Sequence, residues 1–174
     1  GETAEIPSTI HDMWNDRIAA LLVDLPEEAE VALELGATLG LEVNQKEWLE
    51  ACELRGFTPS PRITEGLLKR HLAESSSDST RWRHTHGMLR ESLLKRAKES
   101  GRFGHHHLVC AQMLERRTNH RGVAERRGTH LVSAKAYEEA LPSLLLAASQ
   151  RKASGDLRRA LTLLEVHAKA AIRA

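Results

Sequence analysis

The ten histidines are the side chains of this sequence whose chemistry is easiest to use near neutral pH. Three of them are consecutive, His105-His106-His107, which suggests a metal site. Consecutive residues point in different directions on a helix, so these three cannot all ligate one ion in the usual way. His84 and His86 would share one face of a strand and could chelate, but no cysteine or carboxylate stands at ligand spacing. We therefore expect solvated or partly buried histidines and no metal site.

Motifs for catalysis are missing from the sequence. There is no phosphate loop of the form G-x-x-x-x-G-K-[ST], no kinase glycine loop and no nucleophile motif. The chain is therefore not expected to be an enzyme or to bind a nucleotide through a phosphate loop of its own. Cys52 and Cys110 each fall within a helical pattern, and we expect buried, reduced thiols in a cytosolic protein rather than a disulfide.

The period of the apolar residues changes within Arg81–Leu94. Arg81–Thr85 alternates as a short strand, with Trp82 and His84 on one face, and a helical spacing follows. A polar turn precedes this strand, so Leu72–Glu74 is predicted to pair with it as a β-hairpin. Helices, then a hairpin, then a helix is the order of a winged helix. We therefore predict a winged-helix-like domain over residues 1–103.

Capping residues and prolines indicate where the helices of this domain begin. Pro26 is predicted to lie in the first turn of the second helix, where its missing N–H costs nothing. Asn44 resembles the first residue of a capping box, and Ser60-Pro61 pairs an N-cap with a first-turn proline. The predicted helices run over about Thr9–Val23, from Pro26 to an end near Gly36 to Gly40, and over Asn44–Arg55, Ser60–His71 and Met88–Glu99.

After Gly104 the pattern is purely helical. The predicted helices are His106–Thr118, Val123–Ala134, Tyr137–Ala153 and Asp156–Ala171. At two junctions an apolar residue is followed three positions later by Ala and then Leu, at Ala140-Leu141 and Ala160-Leu161. An alanine there lets two helices approach closely, as in helical-hairpin solenoids. We predict that residues 104–174 begin an antiparallel TPR-like array and that the fold class is mainly α.

The size and composition fit a soluble regulatory or interaction module. The 174 residues are enough for one domain or two small ones. The chain begins at Gly1 without a methionine and ends at Ala174 within a helical pattern, so we interpret it as a piece of a longer protein. No apolar run approaches the roughly 18 residues of a membrane span, and we expect a cytoplasmic protein without membrane contact.

Two groups of basic residues raise the question of nucleic-acid binding. The formal net charge is only +1, and Glu65 and Glu74 interrupt the second group, whereas a nucleic-acid reader usually has a stronger basic excess. A solvated helix face is therefore favoured over a DNA surface. The groups are Arg116, Arg117, Arg121, Arg126 and Arg127, and then Arg62, Lys69, Arg70 and His71 on the helix that would be the recognition helix.

Three segments together resemble the part that follows the nucleotide-binding domain in STAND-type (AAA-related) signalling ATPases. Thr85–Leu93, T-H-G-M-L-R-E-S-L, is similar to the R-F-R-H-x-L-x-R-E-x-L segment of the family's winged-helix domain. Glu30–Leu41 resembles its early helix, and Ala140–Glu165 resembles the start of its TPR-like array. In bacteria the family occurs fused to serine/threonine protein kinases, adenylate cyclases or transcription activators. The resemblance covers nearly the whole chain.

The resemblance implies a non-catalytic regulatory segment. The winged helix would gate an upstream domain that holds ATP or ADP, and the array would bind a protein partner or a signal. In related switches a winged-helix histidine at the position of His86 contacts the bound diphosphate and helps to hold the closed, inactive state. By resemblance, His86 contacts the ADP phosphate, while this segment itself holds no cofactor. The eukaryotic motif has an aspartate at the position of Gly87. The alternative is that His86 only caps or packs the strand-to-helix junction.

Two other functions stay open. One is a DNA-binding winged-helix module of a transcriptional regulator. The other is a stand-alone TPR-like scaffold, which predicts that Gly104–Ala174 folds by itself. Because no polar closing helix follows the pattern at Ala174, we expect exposed apolar surface at that end and self-association of the chain.

Overall fold

Helices account for most of the structure, a computed structural model that describes residues 8–23, 25–117, 120 and 122–174. The chain divides into two units, residues 1–100 and 101–174. The described part of the chain contains nine helices and one three-stranded antiparallel sheet. None of those helices is both long enough and apolar enough to cross a membrane.

The first unit contains five of the helices and all three strands. The middle strand of the sheet is β3, and the strand order is β1-β3-β2. Trp82 of β3 lies opposite Val43 of β1 on one side and opposite Ser75 of β2 on the other. In chain order the elements are α1 (Ser8–Leu22), α2 (Ala29–Leu39), β1 (Glu42–Asn44), α3 (Gln45–Leu54), α4 (Pro61–Lys69), β2 (Ala73–Ser75), β3 (Arg81–His84) and α5 (Gly87–Glu99).

The predicted hairpin is confirmed, and the sheet has one strand more than predicted. Trp82 and His84 are buried while Arg83 between them is exposed, as the alternation in the sequence indicates. The N–H of Thr85 donates to the carbonyl of Leu72 at 3.1 Å and continues the ladder beyond the strands. Strand β1 was not predicted, since three residues are too few to show an alternating pattern. Its antiparallel pairing with β3 defines it.

The helix starts set by capping residues are confirmed for α3 and α4. The Asn44 side chain accepts the N–H of Lys46 at 3.0 Å and that of Glu47 at 3.2 Å. Ser60 accepts the N–H of Arg62 at 3.3 Å, and a proline fills the first turn of α4. These contacts satisfy N–H groups that have no partner within the helix.

The predicted start of the second helix is wrong. Helix α2 begins at Ala29 rather than at Pro26. The Pro26 carbonyl accepts the N–H of Ala29 at 2.9 Å, so the proline belongs to a turn that precedes the helix. Proline fits such a turn as well as a first helical turn, because both tolerate its fixed φ.

Two tryptophans set the distance between α2, α3 and the sheet. The indole N–H of Trp48 donates to the carbonyl of Ala32 at 2.7 Å. The Trp48 ring meets the Trp82 ring edge-on, with centroids 5.8 Å apart. A Cβ on Gly36 would lie 2.7 Å from Cη2 of Trp82, so glycine is what allows α2 to pack this close to β3. Helix α5 packs against α1 and α2 and completes the core.

The second unit consists of four helices, each packed against the next. The predicted bounds of α8 are confirmed, and those of α7 and α9 differ by one residue. Helix α6 begins at Phe103 rather than at His106, and its predicted end at Thr118 lies outside the described residues. The helices are α6 (Phe103–Glu115), α7 (Val123–Ser133), α8 (Tyr137–Ala153) and α9 (Leu157–Ala171).

Small residues and one carboxylate hold these helices together. Ala140 and Ala160 are buried, as close helix packing at the repeated junctions requires. Glu125 of α7 accepts hydrogen bonds from Arg151 of α8 and Arg159 of α9, each at 2.7 Å. Burial by itself raises the pKa of Glu125, but the hydrogen bonds and charges of the two arginines outweigh it, so the pKa lies below its ordinary value. The three helices therefore share one ionised group.

Candidate functional site

The junction between β3 and α5 is held in place by two hydrogen bonds of one residue. Thr85 donates its backbone N–H to Leu72 at 3.1 Å and its hydroxyl to the carbonyl of His71 at 2.9 Å. His86 follows in an extended conformation as the N-cap residue of α5, and its carbonyl accepts the N–H of Leu89 at 3.1 Å. The turn between α4 and the sheet thus fixes where α5 begins.

The His86 side chain is exposed and lies against the first helix. Its ring contacts the ring of Trp14, with centroids 5.3 Å apart and planes inclined by 50°. The guanidinium of Arg17 lies over the same indole at 5.1 Å from its centroid. Trp14 is buried beneath these two groups. The Trp14 ring therefore holds an imidazole and a guanidinium at the surface near the start of α5.

No side-chain cap and no acidic residue of the first turn offset the positive end of the α5 dipole. The His86 side chain makes no capping hydrogen bond, and the first turn of α5 contains no acidic residue. The first N–H groups of a helix lack partners within it and carry the positive end of the helix dipole. An imidazole beside such an end can donate a hydrogen bond to an anionic oxygen. The arrangement is suited to contact with a phosphate or carboxylate presented from outside.

Gly87, which departs from the eukaryotic motif, leaves space at this site. A Cβ built on Gly87 meets no atom within 4 Å, so packing does not require glycine here. An aspartate side chain would fit, but its charge would lie in the first turn of α5 and repel an anion held by His86. The glycine therefore keeps the start of the helix open to anions.

The shared strand face considered for His84 and His86 is wrong. His84 is buried within the sheet, and neither ring nitrogen has a hydrogen-bond partner among the described residues. His86 follows the end of the strand and is exposed, so the two rings do not share a face. Burial, with a smaller effect of the Arg90 charge, lowers the pKa of His84 from 6.5 to about 4. His84 is therefore a neutral core residue at neutral pH.

The consecutive histidines separate as helix geometry predicts. His105 is exposed, whereas His106 and His107 are buried. Nδ1 of His107 lies 2.8 Å from Nδ1 of His130 on α7, so one ring donates the proton that the other accepts. This bond joins α6 to α7. Within the described ranges, no group of three or more potential ligand side chains could hold a metal ion.

The basic groups differ in how far their charges are already paired. On the hairpin, Arg81 pairs with Glu42 at 2.6 Å and Arg83 with Glu74 at 2.8 Å. In the second unit, Arg127 pairs with Glu115 at 3.0 Å, and Arg121 lies outside the described residues. On α4, Arg62 and Lys69 are exposed and form no ion pair with the described part of the chain.

Both cysteines are buried and free, as predicted. Burial, and to a lesser degree the neighbouring Glu53 charge, raises the pKa of Cys52 to about 12. Its thiolate is therefore not available as a nucleophile near neutral pH.

Comparison of the chain with protein-family models, with curated proteins and with solved structures finds no match. Of the residues at the α5 site, the sequence singled out His86 and Gly87, both through the resemblance. The contact of Trp14 with His86 had no sequence signal. The spacing of Trp14 and Arg17, three residues apart on a helix, is compatible with the cation–π contact, since such residues are neighbours on a helix surface.

Proposed function

We propose that the chain is a non-catalytic regulatory segment of a multidomain bacterial STAND-type signalling ATPase. The first unit would act as a winged helix that gates an upstream nucleotide-binding domain. The second unit would act as a TPR-like array that binds a protein partner or signal. ATP or ADP would belong to the upstream domain, and the whole would work in the cytoplasm.

The order of elements in the first unit supports the winged-helix part of the proposal. Setting α1 aside, the chain runs α2, β1, α3, α4, β2 and β3. A strand after the first of three helices, a hairpin after the third, and the last strand in the centre of the sheet are the order expected of a winged helix. Helix α4 then has the position of the recognition helix and the β2–β3 hairpin that of the wing.

Sequential packing in the second unit supports the array. Each helix contacts its neighbours in chain order, which is the arrangement of a solenoid. A Cβ on Gly128 of α7 would lie 2.9 Å from Cδ2 of Leu144 on α8. This close approach, together with buried alanines at the next junctions, is typical of helical-hairpin repeats.

The observation that carries the proposal is the exposed His86 at the uncapped start of α5. In the proposed mechanism, the start of α5 contacts the diphosphate of bound ADP and holds the closed state. Nucleotide exchange removes that contact and releases the winged helix. The switch is thus a two-state equilibrium that the nucleotide biases through its different contacts in the two states.

The test uses the intact protein with its nucleotide-binding domain, loaded with fluorescent ADP. His86→Ala is expected to speed ADP release and raise basal output, since removing a hydrogen bond to a charged group typically costs about 1.5–3 kcal/mol, or roughly tenfold or more in rate. Stopped-flow displacement by excess unlabelled ADP measures the release.

A matched control is His71→Asn, which changes another exposed histidine of the same unit. Asparagine tolerates the left-handed conformation of His71, whose φ is 54°. This variant is expected to release ADP at the wild-type rate. Equal release rates for His86→Ala and the wild type would refute the role of His86.

The DNA-binding alternative has one observation in its favour, the exposed Arg62 and Lys69 on α4. The groove of about 240 Å³ between α4 and the hairpin argues against DNA binding. Among the described residues that line it, the only cationic one is Arg81, whose charge is already paired with Glu42. Gel-shift titration at several salt concentrations discriminates, since phosphate contacts strengthen at low salt. Binding at low salt that Arg62→Ala weakens would favour DNA.

A further inference from the structure

We propose that a stripe of apolar residues on α9 is the docking surface for a second copy of this chain, with the two α9 helices antiparallel. The stripe, called here the outer stripe, consists of Leu157, Leu161, Leu164 and Ala168. It lies within the second unit and does not involve His86, so it stands independently of the function proposed above.

The outer stripe is apolar and uncovered. Leu157 is 60% exposed, Leu161 63% and Leu164 42%. Their spacing of four and three residues places them on one face of the helix. The face of α9 that packs into the unit is a different one, formed by Ala160, Leu163 and Ala170, all buried. A helix with two apolar faces, of which only one is covered, has a face available for a partner.

The charges beside the outer stripe select a second copy as that partner. Arg158 and Glu165 are seven residues apart, two helical turns, and lie on the same side of the stripe. Neither forms an ion pair with the described residues, whereas the adjacent Arg159 is occupied by Glu125. A two-fold axis perpendicular to α9 makes the two helices antiparallel and brings the same side of each helix together. If the axis passes between Leu161 and Thr162, Arg158 of each copy lies opposite Glu165 of the other.

The same register suits the leucines. With the axis between Leu161 and Thr162, the leucines of one helix fall at the levels between those of the other. Side chains that alternate in this way can interdigitate instead of colliding. The charge pairs and the apolar packing therefore require the same antiparallel register. A partner of unrelated sequence would need both its charges and its apolar residues at these same positions.

The expected affinity is modest. A helix of this length is about 22 Å long, so its face covers only a few hundred Å², well below the roughly 800 Å² per partner of a standard interface. We therefore expect a dissociation constant in the micromolar range, which sedimentation velocity detects when the 174-residue chain is titrated up to about 300 μM.

Two substitutions test whether the outer stripe forms the interface. Leu161→Glu places a carboxylate in the apolar contact of both copies, and the Kd is expected to rise roughly 100-fold or more. Leu108→Glu on α6 adds the same charge at another exposed leucine, and the Kd is expected to stay at the wild-type value. Far-UV circular dichroism of each variant verifies that the helices remain folded.

Charge reversal tests the antiparallel register. Arg158→Glu alone and Glu165→Arg alone each set like charges opposite one another twice, and each is expected to weaken the dimer severalfold at low salt. The double variant restores opposite charges and is expected to return the Kd to near the wild-type value. Recovery in the double variant is not expected if a different partner or register uses this face.

Three results would overturn the proposal. One is a wild-type chain that stays monomeric over the whole concentration range, which would leave the outer stripe to another segment or partner. Another is a dimer that Leu161→Glu leaves intact. The third is a double charge reversal that stays as weak as the single variants. Dimerisation that is lost in Leu161→Glu, kept in Leu108→Glu and restored by the double reversal supports it.

Discussion

Gly36→Ala is the substitution whose effect can be worked out most directly from the structure. The new Cβ would lie 2.7 Å from Cη2 and 3.1 Å from Cζ2 of Trp82. Carbon atoms pack favourably at about 3.5–4.0 Å, so the ring or the helix must move by close to 1 Å. Trp82 has little freedom to do so, because it is buried and its ring contacts those of Trp48 and His84.

The magnitude follows from two opposing effects. Overpacking of a filled core costs typically about 1–3 kcal/mol, and alanine in place of glycine within a helix stabilises by up to about 1 kcal/mol. We therefore expect Gly36→Ala to lower the free energy of unfolding of the first unit by about 1–2 kcal/mol. Phenylalanine lacks the two clashing atoms, so in a Trp82→Phe background the same substitution should be neutral or stabilising.

The assay is urea unfolding followed by tryptophan fluorescence. All three tryptophans, Trp14, Trp48 and Trp82, belong to the first unit, so the signal reports on that unit alone. The four proteins of the double-mutant cycle give the coupling free energy directly, and we expect about 2 kcal/mol. Trp14 and Trp48 still provide the signal after Trp82→Phe.

Gly87→Ala is the matched control, since its Cβ meets no atom within 4 Å. It should be neutral or slightly stabilising. A Gly36→Ala destabilisation of equal size in both backgrounds would refute the reasoning, because the cost would then not come from the Trp82 ring.

Two further predictions concern the pH dependence of stability and the titratable side chains of His84 and Glu125. The pKa of His84 is lowered to about 4 by burial and by Arg90. Between about pH 6.5 and 4, His84 is therefore protonated in the unfolded chain but neutral in the folded one. The first unit should lose up to about 3 kcal/mol of stability over that window. His84→Phe should remove this part of the pH dependence, which is measured by the urea unfolding midpoints from tryptophan fluorescence at about pH 7 and 4.5. An equal change of midpoint between the two pH values in the wild type and the variant would contradict it. Glu125→Gln should destabilise the second unit by about 1–2 kcal/mol at neutral pH, since both arginine partners lose a charged acceptor. Because the pKa of Glu125 is lowered in the folded protein, its contribution to the free energy of unfolding is fully present above the ordinary carboxyl pKa. It disappears as the pH falls through the pKa of Glu125 in the folded protein. Thermal unfolding by far-UV circular dichroism measures it, with the exposed Glu139→Gln as control; an effect of Glu125→Gln no larger than that of the control would contradict it.

Features that depend on neighbouring residues were predictable from the sequence. The caps at Asn44 and Ser60 act on N–H groups two or three residues away, and both are confirmed. The change of period at Arg81–Leu94 predicted the strand and the helix that follows it, because burial of one face acts on every second residue of a strand and every third or fourth of a helix. Pro26 shows the limit of such signals, since a turn and a first helical turn suit proline equally.

Features that depend on residues far apart in the sequence were decided by the tertiary structure. Strand β1 exists because β3 pairs with it, and the ring of His86 contacts Trp14, which belongs to a different helix. The His107–His130 bond and the Glu125 ion pairs likewise join separate helices.

The sequence by itself thus determined the helical character of the chain, most helix bounds and the hairpin, through periodicity and capping that act over a few residues. It indicated the candidate residue His86 only through the resemblance of Thr85–Leu93 to a family segment. The tertiary structure decided which histidines are buried, which charges are already paired and which apolar face of α9 stays uncovered. The physical reason is that burial and ion pairing depend on how the elements pack, and that packing is set by contacts such as Gly36 against Trp82 and Gly128 against Leu144.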